Sequence, residues 1–322
     1  MDALSEVLNA VRLTSGLFLE AEFTAPWCID SAPGDEDIAH ILPAAEQVSI
    51  YHLVTEGRCR ASLPAREPLD LEAGDVIMFP HGDGHLLGSD LQMAPSDPSQ
   101  FVEHSPSGGL ARIRHGGGGS RTRFVCGYLA CDKRTIRPLL GALPRMLRVS
   151  LRNSPAASWV EAALRGGASE THAPSAGGDV VLARLAELLF VETVREYARS
   201  LPESQQGWLA GLRDPHVGRA LTLLHANPSR AWEVEALAAE TGLSRSALAD
   251  RFVALIGEPP MQYLASWRMA LAAQALSTSN DAVARIAERV GYESEAAFNR
   301  AFKREFGNPP AAWRRAARLA RR

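Results

Sequence analysis

The 322-residue chain has no run of eighteen apolar residues, so no segment is expected to cross a bilayer as a helix. Its first residues, MDALSEVLNAV, carry no cationic stretch ahead of the apolar ones and no export cleavage pattern, so no leader is expected. Cysteine is scarce: Cys28, Cys59, Cys126 and Cys131 are too few and too scattered for a secreted disulfide framework. The simplest reading is a cytoplasmic protein in which any disulfide is regulatory. Lysine is scarcer still, with only Lys133 and Lys303, so the basic residues are almost all arginine. The glycine-rich stretch 105–120 (SPSGGLARIRHGGGGS) lacks a following Gly-Lys-Ser/Thr, which argues against a phosphate-binding loop and leaves a mobile loop as the reading. No Ser-His-Asp or Cys-His nucleophile arrangement can be singled out.

What charge there is lies unevenly. The net charge is −3. Residues 213–322 hold 16 Lys+Arg against 11 Asp+Glu, while the rest holds 18 against 26. A basic C-terminal part joined to an acidic remainder fits a nucleic-acid-binding module attached to something that does not bind nucleic acid. The length suits two domains.

The last ninety residues contain one pattern twice. The first copy is LAAETGLSRSALADRFVALIGEPP, Leu237 to Pro260, and the second is IAERVGYESEAAFNRAFKREFGNPP, Ile286 to Pro310. Each has a short helix of small residues, a turn glycine (Gly242, Gly291), a longer amphipathic helix and a closing Gly-x-Pro-Pro. Helix-turn-helix modules place their second helix in the DNA major groove. In the first such helix Ser244 is a natural N-cap, and Leu248, Phe252 and Leu255 form the inward stripe. Arg245, Ser246, Ala249 and Asp250 are left on the outward face. In the second, Phe298, Phe302 and Phe306 point inward and Glu295, Ala296, Asn299, Arg300 and Lys303 point out. Arginine pairs bidentately with guanine and asparagine with adenine, so Arg300 and Asn299 lead the base-reading candidates. Lys303 and Arg304 are better placed for phosphate, which positions without specifying. Seven helices are expected from Pro215 onward, with a long one at roughly Pro260 to Leu276 joining the modules. Two helices held by such a connector should address major-groove faces about one duplex turn apart.

These residues, above all Ile286 to Arg315, resemble the AraC/XylS family of bacterial transcription regulators. The resemblance covers about one hundred residues. It implies a double module that binds promoter DNA as a unit, an N-terminal domain that senses a signal or mediates dimerisation, and RNA polymerase as a partner. The first reading helix departs from the pattern in having small or acidic outward residues (Ser246, Ala249, Asp250), which shifts the reading towards the second helix.

Upstream, GLFLEAEF, VSIYHLV, DVIMFP and TRFVCGYLA read as short strands between Gly, Pro and Asp clusters, as in a β-sandwich or barrel. From about Arg137 the pattern turns helical. Asp179 to Arg199 is an amphipathic helix whose stripe (Leu182, Leu185, Leu189, Val194) either packs on its own barrel or serves a dimer contact. GDVIMFPHGDGH, Gly74 to His85, resembles the second cupin motif, and YHLVTEG ends in the glycine of the first. The His-x-His pair and the Glu of that first motif are missing, with Ile50 in place of the Glu. The resemblance implies a cupin sensor domain over most of residues 1–200.

The fold class expected is therefore α+β: a cupin-like β-barrel with a helical extension over residues 1–200, a linker at 201–213, and an all-α double helix-turn-helix domain at 214–318. The resembled motif makes His85 a ligand position. His52, two residues beyond the lost Glu, points to the same strand face, and His81 and Glu22 are weaker candidates to complete a site for zinc or another divalent ion. The alternative is a vestigial barrel with hydrogen-bonded histidines. Cys126 and Cys131 are an odd number apart and so face opposite sides of a strand, which argues against a direct bridge, while Cys59 and Cys28 are thiols that could approach the histidines. The reading is a homodimeric, sequence-specific DNA-binding regulator responsive to a small molecule, a metal or an oxidant. A metal-dependent cupin enzyme with a DNA-binding tail is the alternative, disfavoured because an oxygenase needs a facial ligand set that the first motif has lost.

Overall fold

The computed structural model describes residues 2–10, 14–31, 47–103, 111–131, 136–155, 157–158, 160, 177–202 and 205–319. The chain divides into two compact units, one of residues 13–131 and 143–200, the other of residues 1–12, 132–142 and 201–322.

The first unit is built from two sheets. The larger has the strand order β11 (Leu147–Ser150), β6 (Asp75–Phe79), β3 (Gln47–Glu56), β10 (Arg121–Cys131), β1 (Thr14–Thr24), β9 (Ala111–Gly116) and β8 (Val102–Glu103), and the smaller the order β2 (Cys28–Asp30), β7 (Leu86–Gly88), β4 (Arg58–Ser62) and β5 (Leu69–Glu72). Its central strands are β1 (Thr14–Thr24), β3 (Gln47–Glu56), β6 (Asp75–Phe79) and β10 (Arg121–Cys131), all four of which the apolar runs predict. The smaller sheet holds β2 (Cys28–Asp30), β4 (Arg58–Ser62), β5 (Leu69–Glu72) and β7 (Leu86–Gly88). Side chains from both sheets share one core, in which Phe23 stacks on Trp27 at 4.3 Å and on Phe124 at 5.4 Å between ring centres. Each such ring contributes on the order of 2–3 kcal/mol when fully buried.

Two stretches differ from the sequence reading. Residues 111–116, within the stretch read as a loop, form β9 (Ala111–Gly116), parallel to β1 and capped at the sheet edge by β8 (Val102–Glu103). Ile113 faces the core, which fixes this strand among its arginines and glycines; residues 104–110 lie outside the described residues. Beyond Arg137 the chain is not wholly helical: after α2 (Arg137–Gly141), β11 (Leu147–Ser150) pairs antiparallel with β6, burying Leu147 and Val149 while Arg148 and Ser150 face out. The amphipathic helix is α3 (Gly178–Ser200). It packs on its own barrel against β1 and β10, and Tyr51 Oη donates to the Ala186 carbonyl at 3.0 Å. Leu182, Leu189 and Val194 are buried in that contact and Leu185 is half-buried.

In the second unit α1 (Ala3–Ala10) lies on α5 (Pro215–Ala226). Residues 201–213, read as a linker, contain α4 (Trp208–Arg213), with Trp208 and Leu209 buried against the helices that follow. The apolar pair at 208–209 outweighs the Pro and Gly residues that suggested a linker. Seven further helices start at α5, whose N-cap Asp214 accepts from the His216 and Val217 amides. They continue as α6 (Val234–Thr241), α7 (Arg245–Ile256), the connector α8 (Pro260–Thr278), α9 (Val283–Arg289), α10 (Glu295–Phe306) and α11 (Pro310–Leu319).

Candidate functional site

Both helix pairs are assembled by local rules. Gly242 and Gly291 sit at φ +75° and +86°, left-handed values that only glycine adopts cheaply. Each following helix starts on a serine: Ser244 Oγ accepts from the Ala247 amide at 3.3 Å and Ser294 Oγ from the Ala297 amide at 3.2 Å. The second cap is visible in the sequence as Ser-x-x-Ala, but the sequence reading passed over it. Leu248 and Phe252 anchor α7, with Leu255 only half-buried; Phe298, Ala301 and Phe302 anchor α10, with Phe306 half-buried against Trp313.

This packing turns the candidate reading residues outward. Arg245, Ser246, Asp250, Glu295, Ala296, Arg300, Lys303 and Arg304 are exposed, and Ala249 and Asn299 are half-exposed. The two helices then differ. On α7, Arg245 is paired with Glu235 at 2.8 Å and Arg251 donates to Asp214 at 2.7 Å, so both cations have partners within the protein. On α10, Arg300 and Lys303 have no ion pair among the described residues. Asn299 donates its amide to the Glu295 carbonyl at 2.9 Å, which fixes the side chain along the helix and leaves its oxygen and second N–H outward. A polyanion meeting α10 finds a helix N-terminus, a free guanidinium and a free ammonium. The same polyanion meeting α7 must first break an ion pair to recruit Arg245.

The barrel interior brings together two of the four proposed metal ligands. His52 on β3 and His85, just ahead of β7, are 2% and 1% exposed, and their Nε2 atoms lie 2.7 Å apart. Glu22 lies elsewhere, bound to Arg123 at 2.6 Å, and this ion pair holds its carboxyl below the usual range. His81 is exposed and bonded to the Leu143 carbonyl at 3.3 Å. The expected four-residue set is therefore not assembled, and among the described residues no three His, Cys, Asp or Glu side chains converge as metal ligands.

A thiol that was not among those named for the histidine pocket takes part instead. Cys126 on β10 stands directly opposite His52 on β3, with its Sγ 2.9 Å from His52 Nδ1. Cys28 and Cys59, the thiols expected there, are buried but bonded to neither ring among the described residues, and the side chain of Cys131 is outside them. The hydrogen-bond roles in this row follow from its far end. The Asp83 carbonyl can only accept, so His85 Nδ1 donates to it, at 2.9 Å. His85 Nε2 must then accept from His52 Nε2, which leaves His52 Nδ1 to accept from the Cys126 thiol. The result is a one-way row, Cys126 to His52 to His85 to Asp83, with both rings neutral. Burial enforces that state. It holds His52 well below the usual histidine value, with His85 adding to the effect. It pushes His85 down to about 4 against the opposing pull of Asp83, and it raises the Cys126 thiol far above its ordinary value. Phe79 stacks on His85 at 3.5 Å and seals the row, while the Asp83 carboxylate is tied to Arg145.

The chain matches two family models, cupin over residues 2–199 and helix-turn-helix domain over residues 237–316. An AraC-like transcription regulator of Streptomyces lividans is 34% identical over 317 residues, 98% of each chain. A second, from Streptomyces antibioticus, is 33% identical over 98% of this chain and 99% of its own. The transcriptional regulator AlkR of Acinetobacter baylyi is 30% identical over 98% of this chain and 99% of its own. With a β-rich N-terminal unit, two helix-turn-helix modules and relatives spanning its length, the chain belongs to the AraC-type DNA-binding transcription regulators that carry an N-terminal cupin domain, and is a regulator rather than an enzyme.

Proposed function

We infer that the protein is a sequence-specific promoter-binding regulator that reads DNA chiefly through α10. The unpaired Arg300 and Lys303 on the outward face of that serine-capped helix carry this reading. Arg300, with Asn299 beside it, reads base edges, while Lys303 and Arg304 hold phosphate. Arg245, Ser246, Ala249, Asp250, Glu295 and Ala296 complete the contact surface. Residues 214–318 supply DNA binding, 1–200 supply sensing and dimerisation, and the protein works as a homodimer with RNA polymerase in the cytoplasm. Two short half-sites bound by linked modules gain from dimerisation through effective concentration. Selection from a random duplex pool by the intact chain tests this: one enriched sequence is expected, and uniform recovery would contradict it.

The responsive site in the barrel is the row of Cys126, His52 and His85, and its signal is a thiophilic metal ion. Neutral imidazoles are ready ligands, and a soft ion supplies the energy to displace the thiol proton. An ion would take the place of a shared proton, held by Cys126 and His52 or by His52 and His85. The buried, protonated thiol disfavours direct attack on an oxidant, since the thiolate is the reactive form. Elemental mass spectrometry of the untagged chain after exposure to zinc and cuprous ions, beside His52→Ala, His85→Ala and Cys126→Ser, tests the site. Stoichiometric metal lost in His52→Ala is expected, because His52 belongs to both pairs. Metal retained in that variant, or none in the parent chain, would overturn the assignment.

A further inference from the structure

The first reading helix lacks the polar groups of the second. Aligned on the capping serines Ser244 and Ser294, Ala249 of α7 stands where α10 has Asn299, Asp250 where it has Arg300, and Val253 where it has Lys303. Arg245 is held by Glu235 and Arg251 by Asp214, so the outward face of α7 presents no unpaired cation and no side-chain amide. It offers neither the bidentate pair that reads guanine nor the one that reads adenine. Asp250 can only accept a hydrogen bond, and Ser246 has a single hydroxyl.

What α7 presents instead is apolar. Val253 is 41% exposed, the one large apolar side chain so exposed among the described residues of the helical unit. Valine is a poorer helix former than alanine, lysine or arginine, so helix stability does not account for it. Residues 246, 249, 250 and 253 fall at i, i+3, i+4 and i+7, on the side of the helix away from the buried Leu248 and Phe252. A helix lying in the major groove presents side chains to successive base edges at that spacing. Val253 is one turn beyond Ala249, and the two form a continuous apolar strip.

The matching surface on DNA is a methyl group. Of the unmodified bases only thymine shows an apolar group in the major groove, its C5 methyl, which projects at the groove wall beside the backbone of its own strand. Lys303 reaches phosphate from the equivalent place on α10. Valine is too short for that and carries no charge, but from the same place it meets the groove wall. We propose that Ala249 and Val253 read thymine through its C5 methyl group, so that the first module specifies by apolar contact and the second by hydrogen bonds. This rests on the DNA reading above and adds Val253 to it as a specificity-determining residue.

The test starts from the duplex that the intact chain selects. Each thymine is replaced in turn by deoxyuridine, which removes the methyl and keeps the pairing and the O4 acceptor, and affinity is measured by fluorescence anisotropy. A loss of about fourfold is expected at one thymine or more, the effect of burying one methyl carbon. Val253→Ala, which keeps a good helix former, should bind the parent duplex more weakly and be indifferent to uracil at the thymine that Val253 faces. Arg300→Ala should retain the uracil penalty in full, because that contact belongs to the other module. Tolerance of uracil at every thymine would overturn the proposal. So would a penalty that persists undiminished in Val253→Ala, or one that disappears in Arg300→Ala. Failure to enrich any duplex is a different result: it removes the DNA reading itself, and this inference with it.

Discussion

Gly242 and Gly291 hold equivalent places in the two modules, yet replacing them by alanine should have unequal consequences. Both have left-handed φ, so each alanine meets a backbone penalty of about 1–2 kcal/mol. At Gly242 nothing lies within 4 Å of the added methyl group, and that penalty is the whole cost. At Gly291 the methyl carbon would fall 2.8 Å from both Cα and the carbonyl oxygen of Ser229, and 2.9 Å from Arg268 Nη2. Ser229 presents backbone there, and Arg268 is held in place: its Nε donates to the Pro228 carbonyl at 2.6 Å and its Nη2 to the Arg230 carbonyl at 2.8 Å. Neither neighbour yields cheaply, so overpacking adds about 1–3 kcal/mol. Gly291→Ala should therefore cost about 2–5 kcal/mol against about 1–2 for Gly242→Ala. Urea unfolding of the intact chain, followed by circular dichroism at 222 nm, measures the difference. Equal shifts of the helical transition in the two variants would show that the close approach of Ser229 and Arg268 to the second turn is wrong.

Acid should destabilise the helical unit through His225. Burial pushes this ring down to about 3, below its unfolded value of about 6.5. Between those values the unfolded chain binds the extra proton, so the contribution is complete above pH ~6.5 and is lost progressively as pH falls towards 3, by up to about 4–5 kcal/mol. His225→Gln should remove about one proton from the acid limb of the stability curve; an unchanged limb would contradict the assignment. Lys303→Ala should weaken binding to all duplexes alike and lower the salt slope by about 1, and a loss confined to one sequence would exclude a phosphate role.

The helical half was legible because its determinants are local. A turn glycine, a serine cap and a 3.6-residue stripe occur within twenty residues of one another, and α7 and α10 follow from them alone. The linker reading failed at α4 because the weight of two apolar side chains depends on the helices they meet. In the barrel, alternation reveals strands but not their partners. His52 and His85 came from motif spacing. Cys126 came from register, since β10 sets it opposite His52 from 74 residues away, and no periodicity within either strand encodes that pairing. The same holds for β9, whose place beside β1 is a long-range parallel pairing. Ion pairing was likewise hidden: Arg245 and Arg300 both read as outward arginines of a reading helix, and the Glu235 partner of Arg245, on the preceding helix, separates them.

That separation makes the most direct test. Binding-site selection with the intact chain, run in parallel with Arg300→Ala and Arg245→Ala, compares the two reading helices at one stroke. The account predicts that Arg300→Ala loses about 1–3 kcal/mol of specific binding and relaxes one base position, while Arg245→Ala leaves the selected sequence nearly intact. An unchanged profile in Arg300→Ala, or a larger change in Arg245→Ala, would contradict it.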